Sequence, residues 1–193
     1  MKLSLVRTVV LAAALAVSFA LGGCTSRPND PPTNGSPTAT GKFDKPQKKR
    51  PKNGTVEYFV KQATVSEAIS LQNAGDFTVS APGGNRCYYM LLRKLKDAGG
   101  PADSGTRYLS MFVQPGTKVH TQVPFGRYRL YYASGSKWYG TTYLFGPATT
   151  YGKAEVVLRF YLDGTQRMGN TIDMVEQPGG NLPTSTARPD DFG

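Results

Sequence analysis

The sequence predicts an all-β domain, an antiparallel β-sandwich of about seven strands, and three observations point to it. Apolar and polar residues alternate with period two in several short runs, which is the pattern of strands with one face in a core. Gly, Pro and Ser clusters separate those runs. The chain has 193 residues, and the part beyond a short N-terminal leader is enough for one domain and a linker.

The leader, residues 1–23, has the three parts of an export signal. Lys2 and Arg7 are its basic start, an apolar run covers residues 9–21, and small residues close it. A spanning helix needs roughly 20 apolar residues, so this run is short for a permanent span. The run ends in Leu21-Gly22-Gly23-Cys24, which resembles a lipobox, the cleavage and acylation signal of bacterial lipoproteins. A thiol is needed there because sulfur is the nucleophile that accepts the lipid, and small neighbours let the extended backbone enter the peptidase site. The resemblance implies cleavage before Cys24, acyl chains on that residue and membrane attachment without a transmembrane helix. Thr25 stands where an Asp often marks inner-membrane retention, so the resemblance favours the outer membrane in a Gram-negative cell. The alternative is ordinary secretory cleavage beside a chance cysteine.

Residues 24–54 are expected to form a flexible tether. They are rich in Pro, Thr, Asn, Gly and Lys, with Phe43 almost the sole large apolar side chain, and cannot bury enough surface to offset the entropy of ordering. A coil of this length holds a domain on the order of 30 Å from the bilayer. Much of the chain's formal charge of +10 lies here. Lys45, Lys48, Lys49, Arg50 and Lys52 form a cluster with two readings: contact with anionic headgroups or an acidic envelope polymer, or a solvated charge run. Nucleic acid is not expected as a partner, because the cluster lacks interleaved aromatics for base stacking and the chain is exported.

Residues 55–76 read as a short helix or an edge strand: Val56, Phe59, Val60 and Ala63 suit a helical face, while residues 56–60 also suit a strand. Residues 77–182 carry the strand signal. Val119, Thr121 and Val123 alternate with Lys118, His120 and Gln122. Tyr128, Leu130 and Tyr132 alternate with Arg127, Arg129 and Tyr131, and Val156, Leu158, Phe160 and Leu162 with Glu155, Val157, Arg159 and Tyr161. Further strands are expected at 77–81, 86–95, 107–113 and 171–176, with turns at Pro82-Gly83-Gly84, Pro115-Gly116, Pro124-Phe125-Gly126 and Asp163-Gly164. Residues 183–193 read as a loose tail on which Phe192 could dock.

Chemistry-bearing side chains are sparse. His120 is the sole histidine, and with no Gly-x-Ser-x-Gly elbow in the chain it reads as an exposed strand residue. One histidine and Cys87, in the apolar stretch Cys87-Tyr88-Tyr89-Met90, cannot supply the three or four ligands of a zinc site. Cys87 has no partner for an intramolecular disulfide once Cys24 carries lipid, and reads as a buried thiol. A glycosidase would need two carboxylates across a cleft, and nothing singles out a pair such as Glu155 and Asp173. No catalytic residue, metal or cofactor is expected.

The densest signal is aromatic. Tyr128, Tyr131, Tyr132, Trp138, Tyr139, Tyr143, Phe145 and Tyr151 are threaded with glycines. Either these rings fill one end of the core, each burying ~150–250 Å², or Trp138, Tyr139 and Tyr143 form an exposed platform for sugar rings, flanked by the donors Lys137 and Arg129. The segments Val123-Pro124-Phe125-Gly126-Arg127-Tyr128 and Ala133-Ser134-Gly135-Ser136-Lys137-Trp138-Tyr139-Gly140, with Leu144-Phe145-Gly146, resemble parts of bacterial membrane-attached proteins with no assigned activity. That resemblance implies a domain signature and favours a structural role. The sequence therefore leads to a lipid-anchored, non-enzymatic binding or structural module of the cell envelope, with an envelope partner it does not identify. A carbohydrate- or peptidoglycan-binding module around Trp138 is the alternative, and an envelope hydrolase a third.

Overall fold

A computed structural model describes residues 6–10, 43–96, 105–174 and 184–193. The lipobox, Leu21 to Cys24, and most of the leader lie outside the described residues. The elements are β1 (Val6–Val10), β2 (Val56–Tyr58), α1 (Gln62–Ser70), β3 (Ala74–Ser80), β4 (Cys87–Lys94), β5 (Thr106–Val113), β6 (Lys118–Pro124), β7 (Gly126–Gly135), β8 (Thr150–Asp163), β9 (Gln166–Asp173) and β10 (Thr184–Ser185). The fold is mainly β, as the alternation requires.

The arrangement of the strands differs from the expected pair of antiparallel sheets. They form one connected mixed sheet in the order β2-β5-β4-β7-β8-β9-β3-β6, with β1 beside β9 and β10 beside β8. β9 runs parallel to both β3 and β1, and the other pairings are antiparallel. Two glycines permit the β3–β9 contact. A Cβ on Gly75 would collide with the carbonyl of Met168, and one on Gly169 with the backbone of Asp76.

The sheet curls until its two terminal strands meet: Tyr58 on β2 donates its hydroxyl to the carbonyl of Gln122 on β6, at 3.2 Å. The curl encloses one core, to which Phe77, Met90, Met111, Val123, Leu130, Leu158 and Ile172 each bring a different strand. Its centre is aromatic. Phe160 meets Phe77 and Tyr128 edge-on at 5.9 and 5.5 Å, and Tyr128 meets Tyr108 at 5.3 Å. The Tyr128 hydroxyl donates to Pro124 O at 2.9 Å, so the ring is buried without an orphaned polar atom.

The ambiguous segment 55–76 resolves into a strand and a helix. Val56 and Tyr58 pack on the core from β2, and Val65 and Ile69, four residues apart on one face of α1, do so from the helix. The tail expected to be loose is instead packed down. β10 pairs with β8, and Phe192, in a short 3₁₀ turn at Pro189–Phe192, lies against Tyr151, Tyr131 and Tyr89 at 5.4, 6.3 and 6.4 Å.

Replacing Phe77 with Ala is expected to lower stability by about 3–5 kcal/mol through the cavity it leaves. Tyr58→Phe, which removes just the closing hydrogen bond, should cost about 1 kcal/mol. Urea unfolding followed by circular dichroism separates the two.

Candidate functional site

β4, at the middle of the sheet, is buried along both faces from Cys87 to Leu92. Its inner face meets the main core. Its outer face carries a second aromatic cluster with Tyr89, Leu91, Phe112, Tyr131, Trp138, Leu144, Phe145 and Phe192. This cluster decides between the two readings of the aromatic block. Trp138 is 4% exposed and packs against Phe112, Phe145 and Tyr89 at 5.1, 5.3 and 5.9 Å, so neither face of the indole is offered to a sugar. The loop folds back because Tyr139 N donates to Leu144 O and Leu144 N to Gly140 O, both at 2.7 Å. Gly135 lets Phe145 close onto β7, since a Cβ there would overlap the ring.

Tyr139 is half-buried, Tyr143 exposed and Lys137 exposed. Arg129 is not a free flanking donor. It is buried and donates to Ala154 O at 2.9 Å and to Glu155 O, two carbonyls freed where the β7–β8 register shifts. The expected platform is thus divided between core and surface.

The tether reading is corrected over residues 43–54, which lie extended along the domain. Phe43 meets Tyr139 and Tyr143 edge-on at 4.9 and 6.0 Å, and Lys48 N donates to Trp138 O at 2.8 Å. Arg50 Nη2 donates to Ser136 O. Gln114 Nε2 donates to Pro51 O at 3.0 Å, Gln114 N to Asn53 Oδ1 at 2.9 Å, and Gly54 N to Phe112 O at 2.9 Å. Composition missed this because the bonds use the backbone and satisfy groups of the folded domain. Docking leaves Lys45, Lys48, Lys49, Arg50 and Lys52 exposed in a strip, with Lys137 on the neighbouring loop. Asp44, 3.5 Å from Lys45, is the one acidic residue within that stretch of chain.

A second basic feature was invisible in the sequence because it depends on register. Arg107, Arg93 and Arg129 share a rung across β5, β4 and β7, and Arg127 faces Arg159 across β7 and β8. Arg107 stacks 4.6 Å from the Phe59 ring centre, and Arg93 lies 5.6 Å from that of Tyr131.

The other candidates are quiet. His120 is about half exposed, with Nε2 3.3 Å from Asp76 Oδ1, a surface pair of small energetic weight. Among the described residues no group of His, Cys, Asp and Glu could hold a metal ion. Cys87 is fully buried, and burial pushes its thiol above the ordinary 9.0 despite the opposing charge of Arg50. Burial likewise raises Tyr89 and Tyr108 above 10.0.

These three groups hold their protons more tightly folded than unfolded, so the unfolded chain ionises first and stability falls as pH rises past about 9. The urea midpoint should therefore drop between pH 8 and pH 10.5. Cys87 should react with a thiol reagent only in denaturant, and rapid labelling of the native protein would contradict its burial. Trp138→Ala should cost about 3–5 kcal/mol in the same unfolding assay.

Comparison of the chain with protein-family models, curated proteins and solved structures finds no match.

Proposed function

We propose that this chain is a bacterial lipoprotein, exported, cleaved before Cys24 and held by lipid on that residue, and that its β domain, the sheet of β2–β10 that remains once cleavage removes β1, is a non-enzymatic binding or structural module of the cell envelope. Thr25 favours the outer membrane where the cell has one. The observation that carries the surface assignment is the docking of residues 43–54. The basic strip is fixed to the domain at the point from which the chain runs back to Cys24. Eighteen residues separate Cys24 from Phe43, so the strip follows closely in the chain on the proposed anchor. Each basic side chain near an anionic surface contributes about 1 kcal/mol. Two acyl chains supply firm anchoring, and the strip orients the domain on the headgroups.

The anchor is tested by intact mass and detergent partitioning of protein made in a bacterial host, beside Cys24→Ala. Wild type should be cut before Cys24, gain acyl mass and enter the detergent phase, and the variant should not. A mature soluble form without lipid would end the anchoring proposal.

The strip is tested with the lipid-free mature chain carrying Cys24→Ala. It should bind phosphatidylcholine vesicles containing phosphatidylglycerol and release them at high salt. Replacing Lys45, Lys48, Lys49 and Lys52 together with Gln should weaken binding at least about ten-fold. Equal binding to neutral vesicles would remove the electrostatic contact.

A further inference from the structure

β1 lies within residues 1–23, the segment that cleavage before Cys24 removes, and it is seated on the sheet. It runs parallel to β9, with Val6 opposite Gly169, Thr8 opposite Thr171, Val9 opposite Ile172 and Val10 opposite Asp173. The other edge of β9 is taken by β3, from Asn170 to Asp173. β8 pairs with β9 as far as Tyr161 and Met168, and past that rung the contact is a side chain, Asn170 Nδ2, which donates to Arg159 O at 2.9 Å. β1 therefore fills the edge of β9 that β8 leaves.

Alternate residues of Gly169–Asp173 direct their backbone N–H and C=O towards β1, and these groups lose their strand partner when β1 is cut away. Sheet edges are commonly guarded by Lys, by Pro or by a bulge. This one is not: Gly169, Asn170, Thr171 and Ile172 carry no charge, and the register runs without a shift on both sides. The segment seated there, Val6-Arg7-Thr8-Val9-Val10, is β-branched at every position but Arg7 and so favours the extended backbone that the edge requires.

We propose that this edge is a strand-acceptor site, an inference that rests on the cleavage before Cys24 proposed above. Removal of the leader vacates it, and the mature chain takes up there, parallel to β9, an extended β-branched segment of a partner protein. Main-chain hydrogen bonds along Gly169–Asp173 supply the affinity. In the precursor, β1 holds the partner's place.

The test uses residues 24–193 with Cys24→Ala, and as probe a fluorescent peptide of Val6-Arg7-Thr8-Val9-Val10 flanked by lysines for solubility. The peptide should bind saturably by fluorescence anisotropy. Thr8→Pro and Val9→Pro together in the peptide should weaken binding at least about ten-fold, because one of two adjacent N–H groups faces β9 and both are removed. The full chain with Cys24→Ala, which keeps β1, should also bind at least about ten-fold more weakly, since its own strand competes at high effective concentration. Asp173→Cys in the mature chain should form a disulfide with the Val10→Cys peptide and not with the Val6→Cys peptide, which fixes the parallel direction; Cys87 is fully buried and does not compete.

Binding that survives the Pro substitutions, equal binding to the full chain, or cross-linking through Val6→Cys would overturn the proposal. So would a mature chain that circular dichroism shows to be unfolded, because β1 would then be an integral strand. Self-association of the mature chain that the peptide reverses would give the edge to a second copy instead of a partner. The two readings fail separately: peptide binding with a leader that the host leaves uncut ends the cleavage reading, whereas cleavage without peptide binding ends the acceptor site.

Discussion

The burial of Trp138 on the outer face of the sheet is the contact on which the surface organisation depends. The indole fills the space between Tyr89, Phe112 and Phe145, and its own carbonyl accepts the backbone N–H of Lys48. One residue thus closes the outer aromatic cluster and fixes the incoming chain. Truncating an aromatic side chain in such a packed setting leaves a cavity rather than a local adjustment. β4 can be apolar on both faces because the curled sheet covers one side and this cluster covers the other.

Charge follows from that packing. The arginines of β7 and β8 fall in the polar phase of their strands, those of β4 and β5 stand at the strand ends beyond the buried run, and the register brings them together in rungs. Arg93 and Arg107 lie over aromatic rings, whose faces attract their charge. Arg129 holds the carbonyls freed at the β8 irregularity and so has a structural role. The docked strip at residues 45–52 is a separate basic surface, made of exposed lysines and suited to a diffuse anionic partner.

Much of the strand content was legible because alternation with period two is a local property. Val119 and Val123 face the core while Lys118 and His120 face water, as their spacing requires. Where pattern and structure differ, a distant partner is responsible. Arg129 and Tyr131, in the polar phase of β7, are buried because the aromatic loop and the C-terminal turn cover the outer face. Val156 and Leu162, in the apolar phase of β8, are exposed: Val156 lies at the β7–β8 register shift and Leu162 beside the turn into β9.

The sequence by itself determined the β class, the turns and the position of a short basic segment ahead of the strands, since each is written in composition, period or contiguous residues. Tertiary structure alone decided that the strands make one curled mixed sheet, that residues 43–54 dock, that Trp138 is core, and that β9 leaves β8 to run between β3 and β1. The reason is physical. A strand's pattern states which face is apolar, but which strand lies beside it and what covers each face depend on register and on contacts between residues far apart in the chain.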